Sequence, residues 1–105
     1  MAVQGEMGAR GQGWDYTRGM ALEAEALGFD SLWLPDHVIN AHMSKQSPML
    51  ENWTVLCALA ALTKRVIFAG HTFNNSLRHP AIMAKMAATF DVMFEGRLIY
   101  SLAGC

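Results

Sequence analysis

Asp36 and His37 stand side by side where a short apolar run, Phe29-Asp30-Ser31-Leu32-Trp33-Leu34, stops at Pro35. An imidazole is the side chain most readily placed to move a proton near neutral pH, so this pair is the first candidate for chemistry. The blander alternative has Asp36 capping the following loop and His37 as a partly exposed loop residue. A second polar group follows the next apolar run: Gly70-His71-Thr72-Phe73, then Asn74, Asn75, Arg78 and His79. Arg78 could hold a phosphate or a carboxylate, although an arginine before a proline-initiated helix is more often solvated. His42 has no partner at ligand spacing, and His37, His42, His71 and His79 form no zinc pattern, so no metal site is expected.

The elements that must position these groups follow from periodicity and turn residues. Ser31 to Leu34 is too short for a helix and lies between Gly28 and Pro35, which reads as a buried strand with Asp36 and His37 just beyond its carboxyl end. Before it, Asp15 is a candidate N-cap, Tyr16, Met20, Ala24 and Leu27 fall on one helical face, and Gly28 closes the helix as a C′ residue. Val38 to Gln46 reads as a polar loop. Ser47-Pro48 then signals a helix start, with Trp53, Leu56, Cys57 and Ala60 at helical spacing and Lys64 and Arg65 suited to the negative end. Val66 to Gly70 is β-branched and aromatic, hence a second buried strand. His71 to His79 is its carboxyl-end loop. Pro80 starts a third helix with Met83, Met86, Ala87 and Phe90 inward, and Gly96 turns the chain into a last strand, Arg97 to Leu102. Residues 1–13 are glycine-rich and aperiodic, a flexible arm in which Ala2-Val3-Gln4 is a candidate remnant of a first strand. Helices alternating with strands on short connections imply right-handed crossovers and a parallel sheet. In such α/β folds ligands lie beyond the carboxyl ends of the strands.

Three phrases in order carry a family resemblance: Ala24-Glu25-Ala26-Leu27-Gly28-Phe29-Asp30-Ser31-Leu32-Trp33-Leu34-Pro35-Asp36-His37; Trp53-Thr54-Val55-Leu56 through Thr63-Lys64-Arg65-Val66; and Arg78-His79-Pro80-Ala81 through Asp91, with Glu95-Gly96-Arg97 after it. From about Trp14 onward the chain resembles the luciferase-like monooxygenase superfamily, flavin- or deazaflavin-dependent oxidoreductases built on a β/α (TIM) barrel. The resemblance implies that residues 14–105 are the N-terminal part of such a barrel, with three to four parallel strands and flanking helices. It implies FMN or deazaflavin (coenzyme F-420) as cofactor, the Asp36-His37 pair tilting towards the deazaflavin. It also implies His37 beside the cofactor ring in acid-base or electrostatic support of hydride transfer, with Asp36 contacting the cofactor. Gly70, His71, Thr72 and Phe73 fall where family members have a bulge that supports the ring, often with a non-proline cis peptide, expected here between Thr72 and Phe73.

A β/α barrel takes roughly 250 residues, so 105 residues hold only part of one. Turnover is not expected of this length alone. The composition is 52% apolar and 16% charged, the latter below the usual ~25%, which suggests apolar surface that meets something else. Unpaired strand edges and eight methionines would suit a homo-oligomer or completion by a second chain, and a non-catalytic assembly module is the alternative function. The net charge is −1 with no basic stripe, which argues against nucleic acid as partner; the resemblance implies a small organic substrate. Cys57 and Cys105 suggest neither a disulfide framework nor a metal site. With no signal-like segment in residues 1–12 and no apolar run of bilayer length, a reduced, cytoplasmic setting away from membranes is expected.

Overall fold

The computed structural model describes residues 2–4, 13–39 and 49–104, with backbone alone for the first three. The glycines at 5, 8 and 11, the loop from Asn40 to Gln46 with His42, the Ser47-Pro48 pair and Cys105 lie outside the described residues. Among the described residues nine elements follow in order: β1 (Ala2–Gln4), α1 (Trp14–Ala26), β2 (Ser31–Leu34), α2 (Asn52–Leu62), β3 (Ile67–Gly70), β4 (Phe73–Asn74), α3 (Pro80–Met93), β5 (Leu98–Ile99) and β6 (Leu102–Ala103).

Four strands pair in the order β1-β2-β3-β5, all parallel, and β4 pairs with β6. Buried residues of all three helices share one core cluster with Leu32, Leu34 and Phe68 of this sheet. Leu32 and Leu34 are buried, whereas Ser31 and Trp33, which alternate to the opposite face, are half-buried. Phe68, Phe73, Phe90, Leu56, Leu59 and Val66 complete the core between sheet and helices.

Local signals place most boundaries, and packing corrects several. Gly28 has φ +87° and follows the C-cap Leu27, the left-handed position that favours glycine after a helix. The N-cap of α1 is Gly13 rather than Asp15, which sits in the first turn. Its inward face is Thr17, Ala21 and Ala24, while Tyr16 and Leu27 are 45% and 70% exposed. Small side chains let α1 approach closely, and the Thr17 hydroxyl is satisfied within the helix by the Gly13 carbonyl at 3.3 Å. Helix α2 begins at Asn52, capped by the Glu51 carboxylate, which accepts from the Trp53 and Thr54 amides at 3.0 and 2.8 Å. A start at Ser47 would place Met49 and Leu50 in the helix, and both lie outside it.

The last strand is two short strands, broken at Tyr100 and Ser101 opposite the break between β3 and β4. The breaks match because Ser101 bridges them: its hydroxyl donates to the Gly70 carbonyl, and its own carbonyl accepts from the Phe73 amide at 2.8 Å. Glu25 joins α1 to the start of β3, its carboxylate accepting from the amides of Lys64, Arg65 and Val66 at 2.8 to 3.1 Å. At the end of α2, Lys64 and Arg65 do not fill the role their charge suggests; the Arg97 guanidinium, packed against Phe68 and Phe94, takes the Ala60 and Thr63 carbonyls.

Gly70 is fixed by close approach. A Cβ there would lie 2.7 to 2.8 Å from ring atoms of Phe73, nearer than side-chain atoms pack. Gly70→Ala is expected to lower unfolding free energy by about 1–3 kcal/mol through overpacking, measured by urea unfolding. A neutral result would mean the two segments separate freely.

Candidate functional site

The carboxyl ends of β2 and β3 form one rim. Their ladder runs to the pairing of Leu34 with Gly70 and closes with the His71 amide donating to the Leu34 carbonyl at 2.8 Å. The same carbonyl accepts from the buried Asn52 side-chain amide at 3.2 Å, which ties the start of α2 to this rim. Asn52 Oδ1 is buried and has no hydrogen-bond partner among the described residues.

Asp36 lies just past β2 and is 3% exposed. Both of its oxygens are engaged. Oδ2 accepts from the Asn74 amide at 2.9 Å and from Arg78 Nη1 at 2.7 Å, and Oδ1 accepts from Arg78 Nη2 at 3.0 Å. Arg78 also bonds Glu51 through Nη2, so one guanidinium joins the end of β2, the loop after β4 and the cap of α2. Arg78 is therefore held by carboxylates rather than solvated. A planar fork matched to a carboxylate is the geometry for which arginine is suited, and burial strengthens such a pair's dependence on both members. The hydrogen bonds that Arg78 donates to Asp36 first, and those to the nearby Glu51 after them, hold the guanidinium more firmly protonated than usual against the opposing effect of burial.

His37 follows on the same rim and is half-buried. His71 is exposed and meets the half-buried Trp33 ring edge-on, with centroids 6.2 Å apart. The His71–Thr72 peptide is cis, one residue before the bond expected from the sequence. β4 begins at Phe73, one residue beyond the cis bond, and the Phe73 amide donates to Ser101. Phe73 itself is wholly buried beneath this turn, stacked on Tyr100 at 5.5 Å and tilted against Trp53 at 5.3 Å. It forms the floor of the turn from below.

The structure thus brings Asp36, His37, Gly70, His71, Thr72 and Phe73 to one end of the sheet. Asn74 Oδ1 accepts from the Ser76 amide at 2.9 Å, shaping the loop locally. His79 instead caps α3, accepting from the Ala81 amide at 3.2 Å. Among the described residues no cluster of His, Cys, Asp or Glu could hold a metal, and no helix is long and apolar enough to cross a membrane. Cys57 is half-buried in α2, where burial and the Glu51 charge push its thiol pKa up, away from the reactive thiolate. Sequence reasoning missed Glu51, Asn52 and Ser101. Glutamate is not a favoured N-cap, and nothing local marks an asparagine or serine whose partner lies in another element.

Burial opposes ionisation of Glu25 and is outweighed by the Val66, Arg65 and Lys64 amides and the Arg65 charge. Burial likewise opposes the Glu51 charge and is outweighed by the Thr54 hydroxyl and amide, the Trp53 amide and Arg78. Both pKa values therefore lie below the ordinary carboxylate range, and each group contributes stability that is present above its unfolded value, about 4.3. The urea midpoint is expected to be steady above pH 5 and to fall as acidification passes through the depressed folded values. In Glu25→Gln that fall should be shallower; an unchanged acid limb would show that these caps do not contribute.

A family model described as luciferase-like monooxygenase matches residues 1–103. Among curated relatives, an F420-dependent glucose-6-phosphate dehydrogenase of Microbacterium testaceum (strain StLB037) is 38% identical over 78 residues, 72% of this chain and 23% of the relative. A protein of the same description from Nakamurella multipartita is 34% identical over 82 residues, 76% of this chain and 24% of the relative. Among solved structures, the oxygenating constituent of 3,6-diketocamphane monooxygenase from the CAM plasmid of Pseudomonas putida, in complex with FMN, superposes with a TM-score of 0.71 at 25% identity. That match covers 85% of this chain and 24% of the other. An F420-dependent secondary alcohol dehydrogenase in complex with an F420-acetone adduct gives 0.69 at 28% identity, covering 81% and 26%. The chain spans about a quarter of the length of each of these four proteins. Its parallel strands with flanking helices are part of a TIM barrel. The coverage by the family model and the agreement of fold together make this chain a member of the luciferase-like monooxygenase family.

Proposed function

We propose that the chain supplies the first β/α units of a flavin- or deazaflavin-dependent oxidoreductase, and that the rim formed by β2 and β3 is its cofactor face. The observation that carries this reading is the juxtaposition of His37 past β2 with the turn 70–73 past β3, held together by the His71 amide on the Leu34 carbonyl. A planar redox ring needs a flat, rigid support and a hydrogen-bonding group at its edge. The residues fit such a ring: the turn 70–73 rests on a fully buried aromatic floor, and His37, half-buried, lies on the same rim. When bound, FMN or the deazaflavin would supply the electron or hydride chemistry; the protein supplies position and electrostatics.

His37 is proposed to handle the proton that accompanies hydride transfer to or from a small organic substrate. Gly70, His71, Thr72 and Phe73 support the ring, Phe73 from beneath. Asp36 belongs to the same site through its neighbour His37 and the turn that it holds. The deazaflavin is the favoured cofactor, since the two curated relatives named above are described as F420-dependent. A cytoplasmic setting accords with this reading.

The test is a fluorescence titration of the 105-residue chain with F-420 and with FMN, alongside His37→Ala and with the oligomeric state recorded. Saturable binding that weakens about tenfold or more in the variant is expected. A folded chain that binds neither cofactor would overturn the proposal.

A further inference from the structure

We propose that Arg78 is a positioning residue that locks the two halves of the rim together. It acts through the buried Asp36 carboxylate, which carries the end of β2 and hence His37, and through Glu51 at the cap of α2. The inference rests on reading this rim as the cofactor face.

Three observations support it. The β2–β3 ladder ends at Leu34 and Gly70, and the last main-chain bond across it is from His71 to Leu34. Beyond that point the Asp36 carboxylate continues the connection, accepting from the Asn74 amide and from both Nη atoms of Arg78. Asp36 is 3% exposed, and a carboxylate so buried requires a charged partner in good geometry. Finally, Glu51 engages the same guanidinium while it caps α2, whose Asn52 holds the Leu34 carbonyl. The network therefore returns to the rim from a second direction. Asp36 acts on the site through Arg78 and Asn74, and its loss and the loss of Arg78 are two ways of breaking one device.

The Asn74 amide gives a readout independent of any cofactor. Its neighbours Phe73 and Asn75 donate to the Ser101 and Ala103 carbonyls, whereas Asn74 donates to Asp36. Hydrogen exchange at that amide and affinity for F-420 and FMN are measured in wild type, Arg78→Gln, Arg78→Lys, Asp36→Asn and the Asp36→Asn/Arg78→Gln double variant, with urea unfolding run on each. In Arg78→Gln the Asn74 amide is expected to exchange about tenfold faster and the cofactor dissociation constant to rise about tenfold, while amides of Leu32 and Phe68 keep their protection. Arg78→Lys keeps the charge without the fork and recovers only part of either loss. The double variant should bind no more weakly than the worse single variant.

Asn74 protection unchanged in Arg78→Gln overturns the proposal. So does exposure of Asn74 with cofactor affinity intact, or strict additivity in the double variant. If wild type binds neither cofactor, the function proposed above fails, and Asn74 exchange alone decides the brace: faster exchange upholds it and retained protection refutes it. If Arg78→Gln does not fold, Arg78→Lys carries the same comparison with the same two outcomes.

Discussion

Phe73→Ala is expected to destabilise the chain by about 3–5 kcal/mol, the range for removing a large aromatic side chain from a close-packed core. The ring is 0% exposed, lies between Trp53 and Tyr100, and fills the space that a Cβ on Gly70 would otherwise occupy. Little can collapse into the gap, because its lining comes from β3, the start of α2 and the segment between β5 and β6, each pinned by its own hydrogen bonds. Domains of this size have total stabilities of roughly 5–15 kcal/mol, so the substitution removes a large share. Urea unfolding measures it, and Phe73→Leu, which retains much of the volume, should cost under about 2 kcal/mol. A loss below about 1 kcal/mol in Phe73→Ala would show that the ring is not the floor of the turn.

Arg97→Met is expected to cost about 3–4 kcal/mol even though it preserves much of the side-chain volume. All five N–H donors of this guanidinium are used: Nε on the Phe94 carbonyl, Nη1 on the Thr63 hydroxyl and the Val66 carbonyl, and Nη2 on the Ala60 and Thr63 carbonyls. Two of these acceptors lie at the carboxyl end of α2, where carbonyls lack partners within the helix and the helix dipole favours a cation. Removing the donor leaves those groups partly buried and unpaired. Arg97→Lys should recover less than half of the loss, since one ammonium cannot reach five acceptors spread over the end of α2, the segment after it and the turn after α3. Hydrogen exchange should localise the damage to residues 60–66, and uniform loosening of the whole chain would contradict the local account.

The alternation of helix and strand was legible because its signals are local. Gly28 closes α1 through its own φ, Pro80 starts α3 through its missing N–H, and Ser31 to Leu34 is too short and too apolar between Gly28 and Pro35 to be anything but a buried strand. The placement of Asp36 and His37 past the end of that strand followed from the same signals. The inward face of α1 was legible only in part. Ala24 is buried and Met20 packs against the core as expected, but Tyr16 and Leu27 are exposed, and the close approach of the helix to the sheet selects Thr17 and Ala21 in their place.

Local signals thus carry the alternation of helix and strand, the strand ends on which polar residues collect, and the family phrases. Contacts between distant segments set the rest: β4 inside the expected loop, the division of the last strand, Arg78 on Asp36 and Glu51, Arg97 over the end of α2, Glu25 on the amides of residues 64–66, and the irregular link at His71–Thr72. Each of the three side-chain links spans some 27 to 42 residues, a separation that leaves no periodicity behind. A buried charge chooses its partner by which donors the fold brings within reach, and a lone arginine in a sequence reads the same whether solvated or clamped between two carboxylates.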